Sequence, residues 1–153
     1  MLVGSYRRTL DDKMRLAIPK PLRDSLGFPE KNELYLTPGT DRSLAIYSGE
    51  RLSQLGEALA QKSPVAQEMR AFTRLFYAQA QVAEIDSQGR MRVPADLAKL
   101  AQLEGEVVLL GVRDHIEIWS AEAWEGFLQQ TQPLYDQLAE RAFETKNAPE
   151  TNR

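Results

Sequence analysis

Apolar and polar residues alternate in several short segments of the chain, which is the pattern of a half-buried β-strand. The alternation is clearest in LAIYS, which begins at Leu44, and in IEIWS, which begins at Ile116. Two further apolar segments, NELYLT from Asn32 and EVVLLGV from Glu106, precede these and predict a strand each. The pattern therefore predicts two similar pairs of strands.

After each strand pair, the apolar residues change to helical spacing. Ser48 and Ser120 end the strands and are suited to be helix N-caps. The first helical segment is predicted to break at Pro64 and the second at Pro133. The apolar positions at helical spacing are Leu52, Leu55, Leu59, Met69, Phe72, Leu75 and Phe76 in the first segment and Trp124, Phe127, Leu128, Leu134 and Leu138 in the second. Each β unit is thus followed by helices.

The chain also contains an internal repeat. LDDKMRLAIP, beginning at Leu10, and IDSQGRMRVP, beginning at Ile85, share one frame at an offset of 75 positions. The frame is an apolar residue, Asp, three residues, Arg, an apolar residue, any residue, a β-branched residue and Pro, so each copy contains an Asp-x-x-x-Arg motif. Each copy continues into a short Leu-rich helical turn after its proline, a residue that the start of a helix tolerates. In the later strands, where Ser48 matches Ser120, the spacing between the copies is shorter, which predicts three extra residues in the turn-rich segment TPGTDRS of the first copy. Both copies share the order hairpin, helical turn, strand, strand, helix.

The repeated motif has the chemistry of a tight turn. Asp86 can accept a backbone hydrogen bond from two residues ahead, and Gly89 adopts a positive φ without strain. Alternation then places Arg90 and Arg92 on the face opposite Met91. The first copy has Met14 where the second has Gly89. If the first turn also required a positive φ at this position, Met14 would lower the stability of the fold by about 1–2 kcal/mol.

Two interpretations of the Asp-x-x-x-Arg motif are compatible. Arg15 and Arg90 can extend from the hairpin tips to phosphates and base edges, for which guanidinium groups are well shaped. Alternatively, Arg15 folds back onto Asp11, and Arg90 onto Asp86, as ion pairs that lock each hairpin. An aspartate can also orient the arginine with which it pairs.

Composition narrows the function classes. The 153 residues are 42% hydrophobic and 27% charged, which is typical of a folded protein. The absence of cysteine excludes disulfides and thiol chemistry, and the single histidine, His115, argues against a histidine metal cluster, so we predict no cofactor and no metal. Arginines near the N-terminus interrupt any signal peptide, and no apolar run is long enough for a membrane span. We therefore expect a cytoplasmic protein without a membrane partner.

Charge is unevenly distributed along the chain. The net charge is −3, but residues 1–25 carry six basic and three acidic side chains, whereas residues 120–153 carry three basic and six acidic ones. Such a chain can present a basic face although it is acidic as a whole. The alternative is that both regions are simply solvated surfaces.

Catalysis is not predicted. Asp114 and His115 are adjacent on a predicted strand, where neighbouring side chains point to opposite faces and make a poor dyad. Nucleophile-elbow, phosphate-loop and dinucleotide motifs are absent, so we expect neither an enzyme nor a small-molecule substrate. The aromatic residues of the strands, Tyr35, Tyr47 and Trp119, are expected to pack in the core rather than to stack on bases.

The segments GSYRRTLDDKMRLAIPKPLRDSLG, IDSQGRMRVP and IEIWSAEAWEGF resemble the MraZ family of bacterial transcriptional regulators, within the SpoVT–AbrB group of swapped-hairpin proteins. This resemblance covers about residues 1–130. It implies an α+β fold in which an internally duplicated, AbrB-like swapped-hairpin β barrel forms a pseudo-dimer with helical arms. The expected organisation is repeat 1 at 5–52, a helical linker at 53–80, repeat 2 at 81–124, a C-terminal helical arm at 125–145 and a flexible tail at 146–153.

The resemblance also implies a function. Family members assemble into homo-oligomeric rings and bind direct repeats in double-stranded promoter DNA upstream of the division and cell-wall gene cluster, which would make this protein nucleoid-associated. The family motifs map onto Asp11/Arg15 and Asp86/Arg90, with the aspartates orienting the arginines. The expected DNA-binding residues are Arg15, Arg90, Arg7, Arg8, Lys13, Lys20 and Arg92. The alternative is an oligomeric, antitoxin-like protein-interaction module, but such a module normally has one hairpin unit rather than two.

Overall fold

The computed structural model describes residues 1–29, 33–62 and 67–144. They fall into two compact units, of which the first ends at residue 121 and the second begins at residue 122. The strands are β1 (Ser5–Thr9), β2 (Arg15–Ala17), β3 (Leu34–Pro38), β4 (Leu44–Ser48), β5 (Gln81–Ala83), β6 (Arg90–Arg92), β7 (Glu106–Val112) and β8 (His115–Ser120). The helices are α1 (Lys20–Ser25), α2 (Gly49–Ala60), α3 (Gln67–Gln79), α4 (Ala95–Leu100), α5 (Ala121–Thr131) and α6 (Tyr135–Glu144), with a 3₁₀ turn at Gln132–Leu134.

Six strands form one antiparallel sheet in the order β1-β7-β8-β4-β3-β5. This order is symmetric with respect to the repeat, because β1, β3 and β4 correspond to β5, β7 and β8. The first strand of each repeat pairs with the third strand of the other repeat: β1 with β7, and β5 with β3. Neither repeat therefore completes its own part of the sheet.

The second sheet is a two-stranded ribbon that joins the repeats. Strand β2 of the first repeat pairs with β6 of the second, so that Leu16 lies opposite Met91 and Arg15 opposite Arg92. The ribbon continues beyond its strands through two equivalent bonds. The Ile18 N–H donates to the Gly89 carbonyl at 2.9 Å, and the Val93 N–H donates to the Met14 carbonyl at 2.9 Å. We call this element, residues 14–18 with 89–93, the inter-repeat ribbon.

Both repeats contribute to a single hydrophobic core in the first unit. Leu16 and Met91, on the inner face of the ribbon, are completely buried, as are Leu44 and Ile46 of β4 and Ile116 and Ile118 of β8. Each Leu-rich helical turn adds one fully buried leucine, Leu22 in α1 and Leu97 in α4. Because burial of apolar surface is the main stabilising contribution, this shared core ties the repeats together.

Several sequence-based predictions are confirmed. The fold is mixed α/β with duplicated antiparallel strands. The turn at residues 39–43, between β3 and β4, is three residues longer than the turn at 113–114 between β7 and β8. Ser48 caps α2, since its hydroxyl accepts the Arg51 N–H at 3.1 Å.

The closed barrel is not found among the described strands. β1 and β5 are the two edges of an open sheet, because β2 and β6 pair with each other instead of joining those edges. Three further predictions concern residues outside the described ranges: the strand start at Asn32, the break at Pro64 and the loose tail at 146–153.

In the second unit, α5 and α6 lack a buried residue in their described parts. The Trp124 and Phe127 rings stack with their centroids 5.4 Å apart. The exposed large apolar side chains of this unit are Phe127, Leu134, Tyr135, Leu138 and Phe143. In the described part of the chain, every helix is too short or too polar to cross a membrane.

Candidate nucleic-acid interface

Asp11 and Arg15 form the first hairpin tip. One carboxylate oxygen of Asp11, Oδ1, accepts the backbone N–H groups of Lys13 at 2.9 Å and Arg15 at 2.8 Å, which fixes the turn. The other, Oδ2, accepts the Arg15 Nε–H at 2.8 Å. The backbone hydrogen bond from Arg15 is the main reason that the pKa of Asp11 is lowered. Asp11 thus shapes the turn and also anchors its arginine.

The second tip, at Asp86 and Arg90, repeats this geometry. Asp86 Oδ1 accepts the N–H groups of Gln88 and Arg90, both at 2.9 Å, and Oδ2 accepts the Arg90 Nε–H at 3.0 Å. The pKa of Asp86 is lowered, chiefly by the backbone hydrogen bond from Arg90. The ion-pair interpretation of the motif is therefore confirmed at both tips. In the described structure each ion pair engages only the Nε edge, which leaves the outer nitrogens, Nη1 and Nη2, available to a ligand.

Met14 shares the left-handed conformation of Gly89. Its φ is 60°, against 81° for Gly89, and both backbone N–H groups donate to the aspartate carbonyl at 3.0 Å. The two tips thus have the same turn, and the first accepts a cost of about 1–2 kcal/mol. Met14 packs against the hydrophobic core, which offsets part of that strain.

The outer face of the inter-repeat ribbon is basic. Arg15 and Arg92 are directly opposite each other, and Arg90 lies opposite Ala17. A groove of about 330 Å³ is lined by the three arginines together with Glu84, Ile85 and Asp86. Like charges placed opposite each other on neighbouring strands repel. An anionic ligand in this groove would relieve that repulsion.

The other predicted basic residues lie in different surroundings. Lys13 is at the first tip, where its carbonyl accepts a hydrogen bond from Arg92 Nη1 at 3.4 Å. Arg7, on β1, forms an ion pair with Glu106 at 3.6 Å, and the Arg8 guanidinium lies over the Tyr6 ring at 5.8 Å. Lys20 forms an ion pair with Asp24 at 2.9 Å. The structure therefore brings Arg15, Arg90 and Arg92 together on the inter-repeat ribbon, with Lys13 next to it at the first tip. Arg7, Arg8 and Lys20 belong to other elements.

Two residues near the ribbon were not predicted. Glu84 adds an acidic group to the groove. Arg23, on α1, places its guanidinium against Gly89 of the second tip: a Cβ built on Gly89 would lie 2.7 Å from Arg23 Cζ. The sequence indicates only that Gly89 leaves space for another side chain. No local pattern shows that Arg23 fills this space.

A second polar cluster surrounds His115, where one prediction was wrong. Asp114 and His115 do not point apart, because residues 113 and 114 form a tight turn in which Arg113 has a φ of 64°. His115 Nδ1 lies 2.8 Å from Asp114 Oδ1, and Nε2 lies 3.2 Å from Glu117 Oε2. Tyr47 stacks on the imidazole, and Arg51 of α2 donates to Asp114 at 2.6 Å. The cluster therefore connects α2 to the β7–β8 turn.

Protonation of His115 accounts for the geometry of this cluster, because both ring nitrogens face carboxylates. The hydrogen bond with Glu117 is the main cause that raises the pKa of His115; burial opposes it, and Asp114 adds to it. In turn, the hydrogen bond with His115 lowers the pKa of Glu117. For Asp114, burial is outweighed by the hydrogen bonds with His115 and Arg51, so that its pKa is lowered as well.

This cluster predicts a pH-dependent stability. The contribution of His115 is complete below the ordinary histidine pKa of 6.5 and is lost as the pH rises through the raised pKa of the folded state. We expect the free energy of unfolding, measured in urea, to fall above pH 6.5, and this decline to be weaker in His115→Gln. Identical pH profiles for both proteins would contradict the charged state of His115.

Sequence comparisons identify relatives along most of the chain. Residues 1–75 and 76–146 each match the family model described as "MraZ protein, putative antitoxin-like". A protein named Transcriptional regulator MraZ from Thermoanaerobacter sp. (strain X514) is 39% identical over 140 residues, which cover 92% of this chain and 95% of that protein. Proteins of the same name from Alkaliphilus oremlandii and Lactiplantibacillus plantarum are each 38% identical over 144 residues, or 94% of this chain, and are covered to 98% and 99%.

Proposed function

The chain belongs to the MraZ family, and we propose that it is a DNA-binding transcriptional regulator that acts as a homo-oligomeric ring on direct repeats in promoter DNA. The proposed target is the region upstream of the division and cell-wall gene cluster, which would place the protein in the cytoplasm at the nucleoid. The names of the relatives support a role in transcription. The observation that carries the proposal is the set of three arginines, Arg15, Arg90 and Arg92, on the outer face of the inter-repeat ribbon.

The two-stranded form of the ribbon suits duplex DNA. The major groove of B-DNA admits a two-stranded β ribbon, and arginine is the side chain that pairs best with guanine N7 and O6. At each tip the aspartate holds the Nε edge of the arginine, at 2.8 Å in the first and 3.0 Å in the second, so the guanidinium is oriented before DNA arrives. Such preorganisation lowers the conformational entropy lost on binding. The aspartates therefore act as orienting groups, and the arginine Nη atoms would make the contacts.

A single chain would bind weakly. It offers few cations on the ribbon, its net charge is −3, and Glu84 lies in the same groove. Affinity for DNA derives largely from counterion release at each neutralised phosphate, so few contacts give a low affinity that falls as salt rises. Joining several ribbons in one assembly makes later contacts effectively intramolecular and can raise avidity by about 10²–10⁴-fold.

The helices offer surfaces for such assembly. In the second unit, the apolar side chains of α5, α6 and the 3₁₀ turn that are exposed include Phe127, Leu138 and Phe143. In the first unit, Phe72 and Leu75 of α3 are exposed as well. Exposed apolar groups of this kind are typical of protein–protein contacts. We propose that they are covered by other copies of the chain.

Salt-titrated DNA binding combined with light scattering tests the proposal. Fluorescence anisotropy would compare the host's own division-cluster promoter with unrelated DNA of equal length between about 50 and 200 mM salt, a range over which six to ten phosphate contacts cost about 10³–10⁵-fold. We expect preference for the promoter, a steep salt dependence and a mass that is a multiple of 17.3 kDa. Equal affinity for both duplexes would contradict sequence-specific regulation, and a monomer at all concentrations would contradict the ring.

An antitoxin-like protein-interaction module is the second candidate, because the description of the matching family includes that term. Its recognition surface would be the helices rather than the ribbon. The same binding experiment separates the two, since a protein-binding module has no reason to prefer the promoter.

A further inference from the structure

We propose that the two hairpin tips contact DNA unequally, because each is completed by a different arginine from the other repeat: Arg92 at the first tip and Arg23 at the second. This inference rests on the proposed DNA-binding function and identifies the residues that would give each chain a direction on DNA. The inference makes Arg23, which lies on α1 and outside the Asp-x-x-x-Arg motif, a residue that contacts DNA.

At the first tip, the second guanidinium comes from a strand. Arg92 of β6 lies directly opposite Arg15, and its Nη1 donates to the Lys13 carbonyl at 3.4 Å. The residue that corresponds to Arg92 in the first repeat is Ala17, which lies opposite Arg90. The second tip therefore cannot receive a guanidinium from the ribbon in this way.

At the second tip, the additional guanidinium comes from a helix. Arg23 Nε donates to the Ile18 carbonyl at 2.9 Å, next to the point where the Ile18 N–H meets Gly89. An added Cβ on Gly89 would lie 2.7 Å from Cζ, 2.8 Å from Nε and 3.0 Å from Nη2 of Arg23, so the guanidinium rests directly on the glycine backbone. Among the described residues, no hydrogen bond or ion pair engages Nη1 or Nη2 of Arg23, which leaves both for an anion.

The first tip lacks the counterpart of this arrangement. In the alignment of the two repeats, Gly89 corresponds to Met14 and Arg23 corresponds to Ala98. Met14 packs against the core, and Ala98 is only 5% exposed. Both components of the helix-derived site are thus absent from the first tip, just as the strand-derived site is absent from the second.

The consequence is directional binding. The pseudo-symmetric backbone presents two similar tips, but their pairs of guanidinium groups are placed differently with respect to the ribbon axis. Bidentate recognition depends on the position of each guanidinium, so the two tips would favour different bases or phosphates. A chain with unequal tips would distinguish the two orientations of an asymmetric DNA site. A chain with equal tips would bind in either orientation.

Double-mutant cycles on promoter DNA test the assignment. We expect Arg23→Ala to weaken binding about 10-fold and to reduce the salt slope by about 1. The loss caused by Arg23→Ala should persist in an Arg15→Ala background and largely disappear in an Arg90→Ala background. The loss caused by Arg92→Ala should persist in an Arg90→Ala background and largely disappear in an Arg15→Ala background. Lys99→Ala, which removes an exposed cation from α4, is the matched control and should leave binding unchanged.

A gain of function guards against a folding defect in Arg23→Ala. Met14→Gly combined with Ala98→Arg transfers the helix-derived site to the first tip, so the double variant should bind several-fold more tightly than Met14→Gly alone, with a steeper salt slope. The inference would be overturned if the wild type bound promoter DNA but Arg23→Ala lost the same affinity in the Arg15→Ala and Arg90→Ala backgrounds, and if the double variant bound no more tightly than Met14→Gly. If the wild type itself showed no preference for the promoter, the proposed function would fail instead.

Discussion

Replacing Arg15 and Arg90 by alanine together is expected to weaken binding to promoter DNA by about 100-fold or more, since each positioned guanidinium contributes about 1–3 kcal/mol. The salt dependence should also become shallower, by about one unit of slope for each phosphate contact that is lost. Salt-titrated fluorescence anisotropy on the division-cluster promoter measures both quantities. Each single substitution should give a smaller loss, because one tip then remains.

The fold should survive this double substitution. The hydrogen bonds that shape each tip run from backbone N–H groups to Asp11 and Asp86, and they do not involve the arginine side chains. The residual effect of alanine is the loss of a partly exposed ion pair, which is worth little. A change in binding can therefore be attributed to the contact and not to unfolding.

Two variants serve as controls, one expected to leave the affinity for DNA unchanged and one expected to raise it. Arg42→Asn removes a positive charge from the exposed β3–β4 turn, where a φ of 63° suits asparagine, and should not change affinity. Glu84→Gln removes the acidic group from the ribbon groove and should raise affinity. Binding by the Arg15→Ala, Arg90→Ala protein within about threefold of wild type would exclude the tips from DNA recognition, given the loss expected from two positioned guanidinium groups.

The sequence predicted the local geometry of the tips well. Asp86 and Gly89 have strong individual preferences for a tight turn, and the structure shows that turn with the predicted bond from the Gln88 N–H to Asp86. The sequence does not determine the geometry of the first tip, because a penalty of about 1–2 kcal/mol at Met14 is small compared with the free energy gained by packing the surrounding core. The structure shows the same left-handed turn, so the shared framework outweighs the preference of one residue.

The pairing of strands was not predictable from alternation. A period of two residues shows which side chains share a face, but it does not identify the neighbouring strand. Nothing in the segments around Leu16 or Met91 shows that they lie opposite each other. The exchange between repeats was expected only from the family resemblance, and the closed barrel expected with it is not present among the described strands.

Both errors in the site have the same origin. Strand alternation predicts that the Asp114 and His115 side chains point apart, but Asp114 lies in a two-residue turn, where alternation does not apply. The contact between Arg23 and Gly89 is not predictable from a local pattern, because the two residues belong to different repeats and are far apart along the chain. They meet because the inter-repeat ribbon brings α1 next to the second tip. In each case the decisive contact depends on tertiary structure.

The second large effect concerns the core beneath the ribbon. Leu16→Ala is expected to lower the free energy of unfolding by about 2–5 kcal/mol, because a fully buried leucine leaves a cavity that its surroundings fill only in part. That loss is a large part of the roughly 5–15 kcal/mol by which domains of this kind are stable. Urea denaturation monitored by circular dichroism measures it. Leu100→Ala on α4, where the side chain is 46% exposed, is the control and should cost much less.

The strongest form of this prediction is the coupling of Leu16 to Met91. They belong to different repeats and are far apart along the chain, yet they are directly opposite across the ribbon and both are 0% exposed. Truncating both should therefore differ from the sum of the single effects by about 0.5–3 kcal/mol, as expected for residues in contact. Because the repeats share this core, the first unit should also unfold in one transition in every variant. Additive effects, or separate transitions for the two repeats, would show that the ribbon does not join them energetically, and the two tips could not then be held in a fixed relation to DNA.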